Sequence, residues 1–341
     1  MKKLIFPCVA VVSTLLVGAL LVVIAGASPL LAAQYFLYGI LGNLNGFVEI
    51  LVKATPLMFL GLGVAVAFRT GFFNIGGEGQ LYMGALAAAM VTLLLPGVPG
   101  AVRVLLAIAA SFAAGGLWAF LPAYLKNRLG ISETVNTIMF NYIATMFVGI
   151  SIRGFLQDPA DYLPQSARIE EAASLPLLLR PTRLHLGFFL ALLAVAVVWF
   201  IMQRTTVGFE LRISGSNARG AACMGIPVRR SLLLSAVISG GLAGLAGMSE
   251  LLGVQHRLLE NLSGGNGYTA ILIALMARNH PLGVVLVSLG FAALQVGAAT
   301  MQRQMGIPNA IVSILTGFIV LLILCQGLAE IRRERRKERL G

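Results

Sequence analysis

Long stretches without a charged side chain recur along the whole sequence. Only 38 of the 341 residues are Lys, Arg, Asp or Glu, and the mean hydropathy is +0.90. A soluble domain carries roughly a quarter charged residues, whereas about 20 consecutive apolar residues cross a bilayer as a helix. The sequence therefore excludes an ordinary soluble protein and predicts an all-α, polytopic integral membrane protein.

About ten transmembrane helices (8–10) are predicted from these stretches. The first is too long for a cleaved signal peptide and is expected to be retained. The eighth is the shortest and begins with several Gly and Ser residues, so it is expected to be re-entrant or broken. The ten windows are 4–26, 50–68, 79–97, 102–125, 133–152, 185–203, 231–252, 266–278, 281–300 and 306–328.

The distribution of Lys and Arg predicts the orientation of the chain. With ten spans and a cytoplasmic N-terminus, the C-terminus is also cytoplasmic, and 17 of the 25 basic residues lie inside. Residues 1–330 are then one transmembrane domain, and residues 331–341 are a basic cytoplasmic tail facing anionic lipid headgroups. We interpret the net charge of +12 in this way and not as a sign of nucleic-acid binding. Segments 27–49 and 153–184 are predicted to be outer loops.

The sequence offers little support for catalysis. His185, His256 and His280 are scattered, the three cysteines are far apart, and no zinc-type spacing occurs. No Lys follows Gly and precedes Ser or Thr, as a phosphate-binding loop requires. We therefore expect no catalytic residue, no metal site and no bound cofactor, and any ATP would be hydrolysed by a partner.

The first informative motif is the glycine-rich segment 69–80, RTGFFNIGGEGQ. Its four glycines permit a tight backbone turn at membrane depth, where polar side chains satisfy loose backbone groups or face a cavity. One interpretation is a gate or path-lining element that uses Asn74, Glu78 and Gln80. The other is an ordinary cytoplasmic loop in which Glu78 pairs with Arg69.

The second motif is a polar stripe in segment 131–145. Side chains four residues apart lie on one helix face, and such a stripe does not face lipid. One interpretation is hydrogen bonding to an uncharged solute bearing hydroxyl or amide groups; the other is adhesion between helices. The stripe consists of Glu133, Thr137, Asn141 and Thr145, flanked by Asn136 and Phe140.

The third motif is segment 206–230 between two predicted spans. Ser216 or Asn217 is placed to cap a short helix running to about Met224, and Gly225 and Pro227 are placed to end it. A short cytoplasmic helix of this kind serves as a docking knob for a partner. The alternative is a surface loop held to anionic lipid by its arginines.

Taken together, these motifs resemble the permease subunits of ABC importers in the branched-chain amino acid and simple sugar group, most closely the nucleoside type. The resemblance covers nearly the whole chain. Its strongest runs are GFFNIGGEGQ at 71–80, ETVNTIMFNY at 133–142, GSNARGAACMGI at 215–226 and GYTAILIALMARNHPLG at 267–283.

The resemblance implies an importer in which two permeases form the pathway in the bacterial cytoplasmic membrane. A cytoplasmic ATP-binding-cassette ATPase dimer drives it, and an extracytoplasmic solute-binding protein delivers the solute. Simple sugars or branched-chain amino acids are alternative substrates, and an ion-coupled carrier or channel is the rival class. The ATPase coupling helix would contain Gly215, Asn217, Ala221, Ala222, Gly225 and Ile226.

Overall fold

The computed structural model describes residues 16–306 except 21, 25 and 161, together with the single positions 314 and 317. The tail 331–341, nearly all of window 306–328 and much of window 4–26 therefore lie outside the described residues. Within the described part the regular structure is helical, and β-pairing is limited to isolated bridges. This confirms the all-α prediction.

Eleven α-helices follow one another along the described residues after position 28. A turn of π-helix, Leu251–Gln255, continues the ninth helix, and a short 3-10 turn covers Glu171–Ala173. The helices are α1 Pro29–Leu41, α2 Leu44–Arg69, α3 Gly77–Leu94, α4 Gly100–Leu129, α5 Glu133–Arg153, α6 Gly187–Arg204, α7 Thr206–Ser216, α8 Ala218–Cys223, α9 Val228–Glu250, α10 Asn266–Met276 and α11 Pro281–Met305.

Six of the described helices are long and apolar enough to cross a membrane, and a seventh span results if the bent pair 16–24 and α1 counts as one. The six are α2, α4, α5, α6, α9 with its π-turn, and α11. Helix α10 has only 11 residues, about 16 Å, which is too short to cross a core of about 30 Å. Window 266–278 was expected to be re-entrant or broken, and the structure agrees that its helix is not a full span.

The prediction of an outer loop at 27–49 was wrong. This segment is helical: Pro29 starts α1, Gly42 ends it, and α2 already begins at Leu44. The length of a charge-free window identifies only helices that can span, and α1, with 13 residues, is too short to span alone.

The chain divides into two compact units, 51–291 and the remainder. In the first unit α3, α4 and α9 cross with their backbones in contact. A Cβ on Gly84 would lie 2.2 Å from the Cα of Gly244, and a Cβ on Gly115 would lie 2.2 Å from the carbonyl oxygen of Gly240. Only glycine leaves room for backbones this close. Small residues at four-residue spacing predict such close contacts between membrane helices. In the second unit Gly39 packs against Thr300.

The segment between α5 and α6 lies over the chain that follows α9. The backbone N–H groups of Ser166, Ile169 and Leu175 donate to the carbonyl groups of Leu258, His256 and Leu252 at 2.9–3.1 Å. Two ion pairs fasten it: Arg257 with Asp158, and the buried Arg103 with Glu170, each at 2.6 Å. The polar segment predicted as an outer loop is therefore an ordered cap.

Candidate functional site

The glycine-rich motif forms a turn between α2 and α3 that is held by a closed network of amides. Asn74 is fully buried, and its Nδ2 donates to Oε1 of Gln80 at 3.0 Å and to Oγ of Ser239 at 2.9 Å. Nε2 of Gln80 donates back to Oδ1 of Asn74 at 2.9 Å, and the same oxygen accepts from the N–H of Gly76. The turn, called here the glycine hairpin (residues 70–80), is thereby fixed to α9.

The polar stripe of α5 binds the backbone of this hairpin. Oδ1 of Asn141 accepts from the N–H of Gly79 at 2.8 Å, and its Nδ2 donates to the carbonyl oxygen of Ile75 at 3.0 Å. The N–H of Ile75 donates to Oγ1 of Thr137 at 3.3 Å. A turn without helical hydrogen bonds leaves such backbone groups unpaired among the packed helices, and the stripe satisfies them.

Glu78 attaches the hairpin to the start of α10. Its Oε2 accepts from Oγ of Ser263 at 2.9 Å and from the N–H of Gly267 at 2.8 Å. A carboxylate beside the first N–H groups of a helix offsets the positive end of the helix dipole. The alternative pairing of Glu78 with Arg69, considered from the sequence, is not what the structure contains.

The remaining residues of the stripe join α5 to α4. Glu133 forms an ion pair with Lys126 at 2.7 Å, and Nδ2 of Asn136 lies 3.4 Å from the carbonyl oxygen of Pro122. The carbonyl oxygen of Phe140 accepts from Trp118 Nε1 at 3.2 Å, and the two rings meet edge to face. The residues of the two motifs therefore lie in two linked groups, one at the hairpin and one along α4 and α5. Eight of them are the candidates for the solute pathway: Asn74, Glu78, Gln80, Glu133, Asn136, Thr137, Phe140 and Asn141.

Sequence reasoning missed four partners in this network: Ser239, Ser263, Gly267 and Tyr268. Tyr268 is the exposed member of the hairpin group: 43% of it is exposed, and its hydroxyl lies 3.4 Å from Nδ2 of Asn141. The Ser-Gly-Gly-Asn-Gly run at 263–267 marked the start of α10 as irregular. Nothing in the sequence indicated that Glu78 would bind there.

The third motif folds as two short helices, α7 and α8. Thr205 caps α7 by accepting from the N–H of Gly208 at 3.2 Å, and Asn217 caps α8 by accepting from the N–H of Gly220 at 2.9 Å. Gly225 has a φ of +78°, the left-handed conformation that ends a helix. The predicted helix is thus present, with α7 in front of it as an addition. The whole of residues 205–227 is called here the knob.

The knob is only partly exposed. Ala221 is fully buried, Ile226 is half-buried, and Gly215, Asn217, Ala222 and Gly225 are exposed. Met224 at its tip is 60% exposed. The knob therefore presents an exposed apolar side chain that another protein can contact.

The knob and the glycine hairpin are in contact. A Cβ on Gly215 would lie 2.1 Å from the carbonyl oxygen of Arg69, and a Cβ on Gly71 would lie 3.5 Å from the Cα of Gly215. Gly71 itself has a φ of +77°, which favours glycine. Backbone contacts therefore link the end of α7 to the end of α2 and to the hairpin. This contact region is called here the joint.

Comparison with known proteins identifies the class. A family model described as "Branched-chain amino acid transport system / permease component" matches residues 46–324. The chain belongs to this family. The prediction of a non-enzymatic permease subunit is therefore confirmed, and the matched region contains the hairpin, the stripe and the knob.

Three relatives are similar over almost their whole length. The chain is 38% identical to the guanosine ABC transporter permease protein NupP of Bacillus subtilis, covering 95% of this chain and 93% of the relative. It is 33% identical to the glucose ABC transporter permease protein TsgB13 of Haloferax volcanii (93% and 86%). It is 30% identical to the nucleoside ABC transporter permease protein NupB of Lactococcus lactis (98% and 94%).

Proposed function

We propose that this chain is a permease subunit of an ABC importer for nucleosides. The observation that carries the proposal is the similarity over nearly the full chain to permeases named for guanosine and for nucleosides. The similar coverage of a permease named for glucose makes simple sugars the second candidate. Nucleosides and sugars share the hydroxyl groups that uncharged polar side chains bind.

The proposed subunit acts as half of a pathway. It has eight to ten spans with both ends in the cytoplasm, residues 1–330 form one permease domain, and residues 331–341 form a basic tail. A second permease, identical or paralogous, completes the pathway in the bacterial cytoplasmic membrane. An ATPase dimer binds the knob, and an extracytoplasmic solute-binding protein delivers the solute.

The joint between knob and hairpin suggests how ATP-driven movement reaches the pathway. A displacement of α7 acts on the end of α2 and on the hairpin, because Gly215 leaves no space at the carbonyl oxygen of Arg69. The hairpin in turn holds α5 through Asn141 and α10 through Glu78. Alternating access then follows from the concerted tilting of these helices.

Within this scheme the eight candidate residues have two roles. Asn74, Glu78 and Gln80 shape the hairpin beside the pathway, while Glu133, Asn136, Thr137, Phe140 and Asn141 hold α5. We assign the contact with solute to the ring of Tyr268, because 43% of this residue is exposed while its hydroxyl is held by Nδ2 of Asn141. An aromatic face with a hydroxyl suits a nucleobase bearing a ribose.

The test is uptake in cells that express the complete system. Tyr268→Phe keeps the ring and removes the hydroxyl, whereas Tyr268→Leu removes both. We expect radiolabelled nucleoside uptake to be retained at raised KM in Tyr268→Phe and to be lost in Tyr268→Leu. Exposed Tyr162, in the cap between α5 and α6, supplies the matched control substitution.

Competition distinguishes the candidate substrates in the same assay. An excess of unlabelled nucleosides should abolish uptake, whereas ribose, glucose and branched-chain amino acids should leave it unchanged. Inhibition by glucose but not by nucleosides would favour the sugar transporter. Uptake that survives loss of the ATPase and collapses with a proton uncoupler would favour an ion-coupled carrier.

A further inference from the structure

An apolar cavity of about 320 Å³ separates α6 from the core of the first unit. Its walls come from α2, α4, α6 and α9, and every lining side chain is apolar. On α6 the lining residues are Leu190, Leu193, Ala194, Val197, Val198 and Ile201, which lie along one face of the helix. Leu193 and Val197 are also 59% and 47% exposed, so the cavity is a groove open to the surroundings of the helix bundle.

The groove has the length of an acyl chain in one leaflet. From Leu190 to Ile201 it follows 11 residue steps of α6, about 16 Å at 1.5 Å per residue. Half of a hydrocarbon core of about 30 Å is about 15 Å. An open groove lined only by apolar side chains, lying along a membrane-spanning helix, is suited to a hydrocarbon chain and not to a polar solute.

One end of the groove is basic. Arg204 lies one turn beyond Ile201, and Nη1 of Arg212 reaches back to Oε1 of Gln203 at 3.1 Å. Segment 204–230 contains five arginines and a single acidic residue, Glu210. The proposed topology places this end at the cytoplasmic surface, where anionic headgroups attract basic side chains.

We propose that the groove binds one acyl chain of an anionic phospholipid, with the headgroup phosphate at Arg204 and Arg212. The site lies on α6 and at the start of α7. Thr205 connects these two helices closely, since its hydroxyl donates to the carbonyl oxygen of Ile201 at 2.7 Å and also caps α7. The bound acyl chain therefore fills the space between α6, the helix that leads into the knob, and helices α2, α4 and α9. The proposal is independent of the transported substrate.

Native mass spectrometry of the purified full-length chain tests this site. The chain is mixed with equal amounts of phosphatidylglycerol and phosphatidylcholine that carry identical acyl chains. We expect one tightly held lipid per chain, with phosphatidylglycerol preferred about tenfold, equivalent to about 1.4 kcal/mol. The preference should fall as salt is raised, because charge attraction at a surface is screened.

Two sets of variants separate the chain-binding and headgroup-binding parts. Ala194→Phe fills the groove and should abolish retention of both lipids, whereas Ala196→Phe, the same change on a position that does not line the groove, should not. The double variant Arg204→Gln and Arg212→Gln leaves the groove intact. It should abolish only the preference for phosphatidylglycerol and should still retain one lipid per chain. Arg229→Gln, another cytoplasmic arginine, is its control.

Three results would overturn the proposal. The first is equal retention of the two lipids by the unaltered chain, which is the behaviour of bulk lipid. The second is an unchanged lipid count in Ala194→Phe when thermal stability matches that of Ala196→Phe. The third is dimerisation of the unaltered chain without bound lipid together with a monomeric Ala194→Phe variant, which would make the groove an interface between two copies.

Discussion

Replacing Asn141 with Leu should destabilise the permease by several kcal/mol. The side chain is 2% exposed and supplies both an acceptor to the N–H of Gly79 at 2.8 Å and a donor to the carbonyl oxygen of Ile75 at 3.0 Å. Leucine has a similar size but offers neither group. Each buried backbone group left unpaired costs about 1–3 kcal/mol, so the two together cost about 2–6 kcal/mol.

The matched control is Thr145→Val on the same helix. Its hydroxyl donates to the carbonyl oxygen of Asn141 at 3.0 Å, a bond within the helix that can be lost at a cost of less than about 1 kcal/mol. Thermal unfolding of both variants in detergent, followed by tryptophan fluorescence, gives the comparison, since Trp118 donates to the neighbouring Phe140 carbonyl oxygen. Equal stability of the two variants would refute the assignment of Asn141 as the brace of the hairpin.

Three further predictions concern helix packing, pH and the knob. Gly244→Ala should lower the thermal stability sharply, because the added Cβ would lie 2.1 Å from the carbonyl oxygen of Ser111. Gly290→Ala, where the added Cβ meets open space, should be neutral or stabilising, and thermal unfolding of the two variants gives the comparison. Burial lowers the pKa of His185, which lies just before α6, to about 4. Because the unfolded value is about 6.5, stability should be complete above pH 6.5 and fall as the pH drops towards 4, and His185→Gln should show a shallower decline. Asn217→Ala should weaken the cap of α8 by about 1 kcal/mol and reduce co-purification with the ATPase, whereas Asn217→Asp should retain both; equal binding by the two would contradict the docking role.

Local signals in the sequence predicted the parts of the structure that depend on neighbouring residues. The cap at Asn217 and the left-handed Gly225 follow from side chains acting within a few positions of the chain. The same holds for the polar stripe, whose four-residue spacing places Thr137 and Asn141 on one buried face.

Pairings between distant segments could not be predicted in this way. Ser263 and Gly267 bind Glu78 across more than 180 positions, and a carboxylate at a helix start gives no indication of its partner. For Asn141 the sequence left solute binding and adhesion between helices open; in the structure both ends of its amide bind the hairpin, because a turn buried among helices leaves backbone groups that require such partners. Helix α1 was missed because its 13 residues fall below the length used to recognise a span.

The most direct test of the account uses Cys223, an exposed thiol at the end of α8. In a chain with Cys8→Ser and Cys325→Ser, it is the single target for a membrane-impermeant maleimide. The account predicts labelling in inside-out vesicles, none in right-side-out vesicles, and protection when the ATPase is added. Labelling of Cys223 from the external face would place the knob on the wrong side of the membrane and contradict its role in coupling transport to ATP.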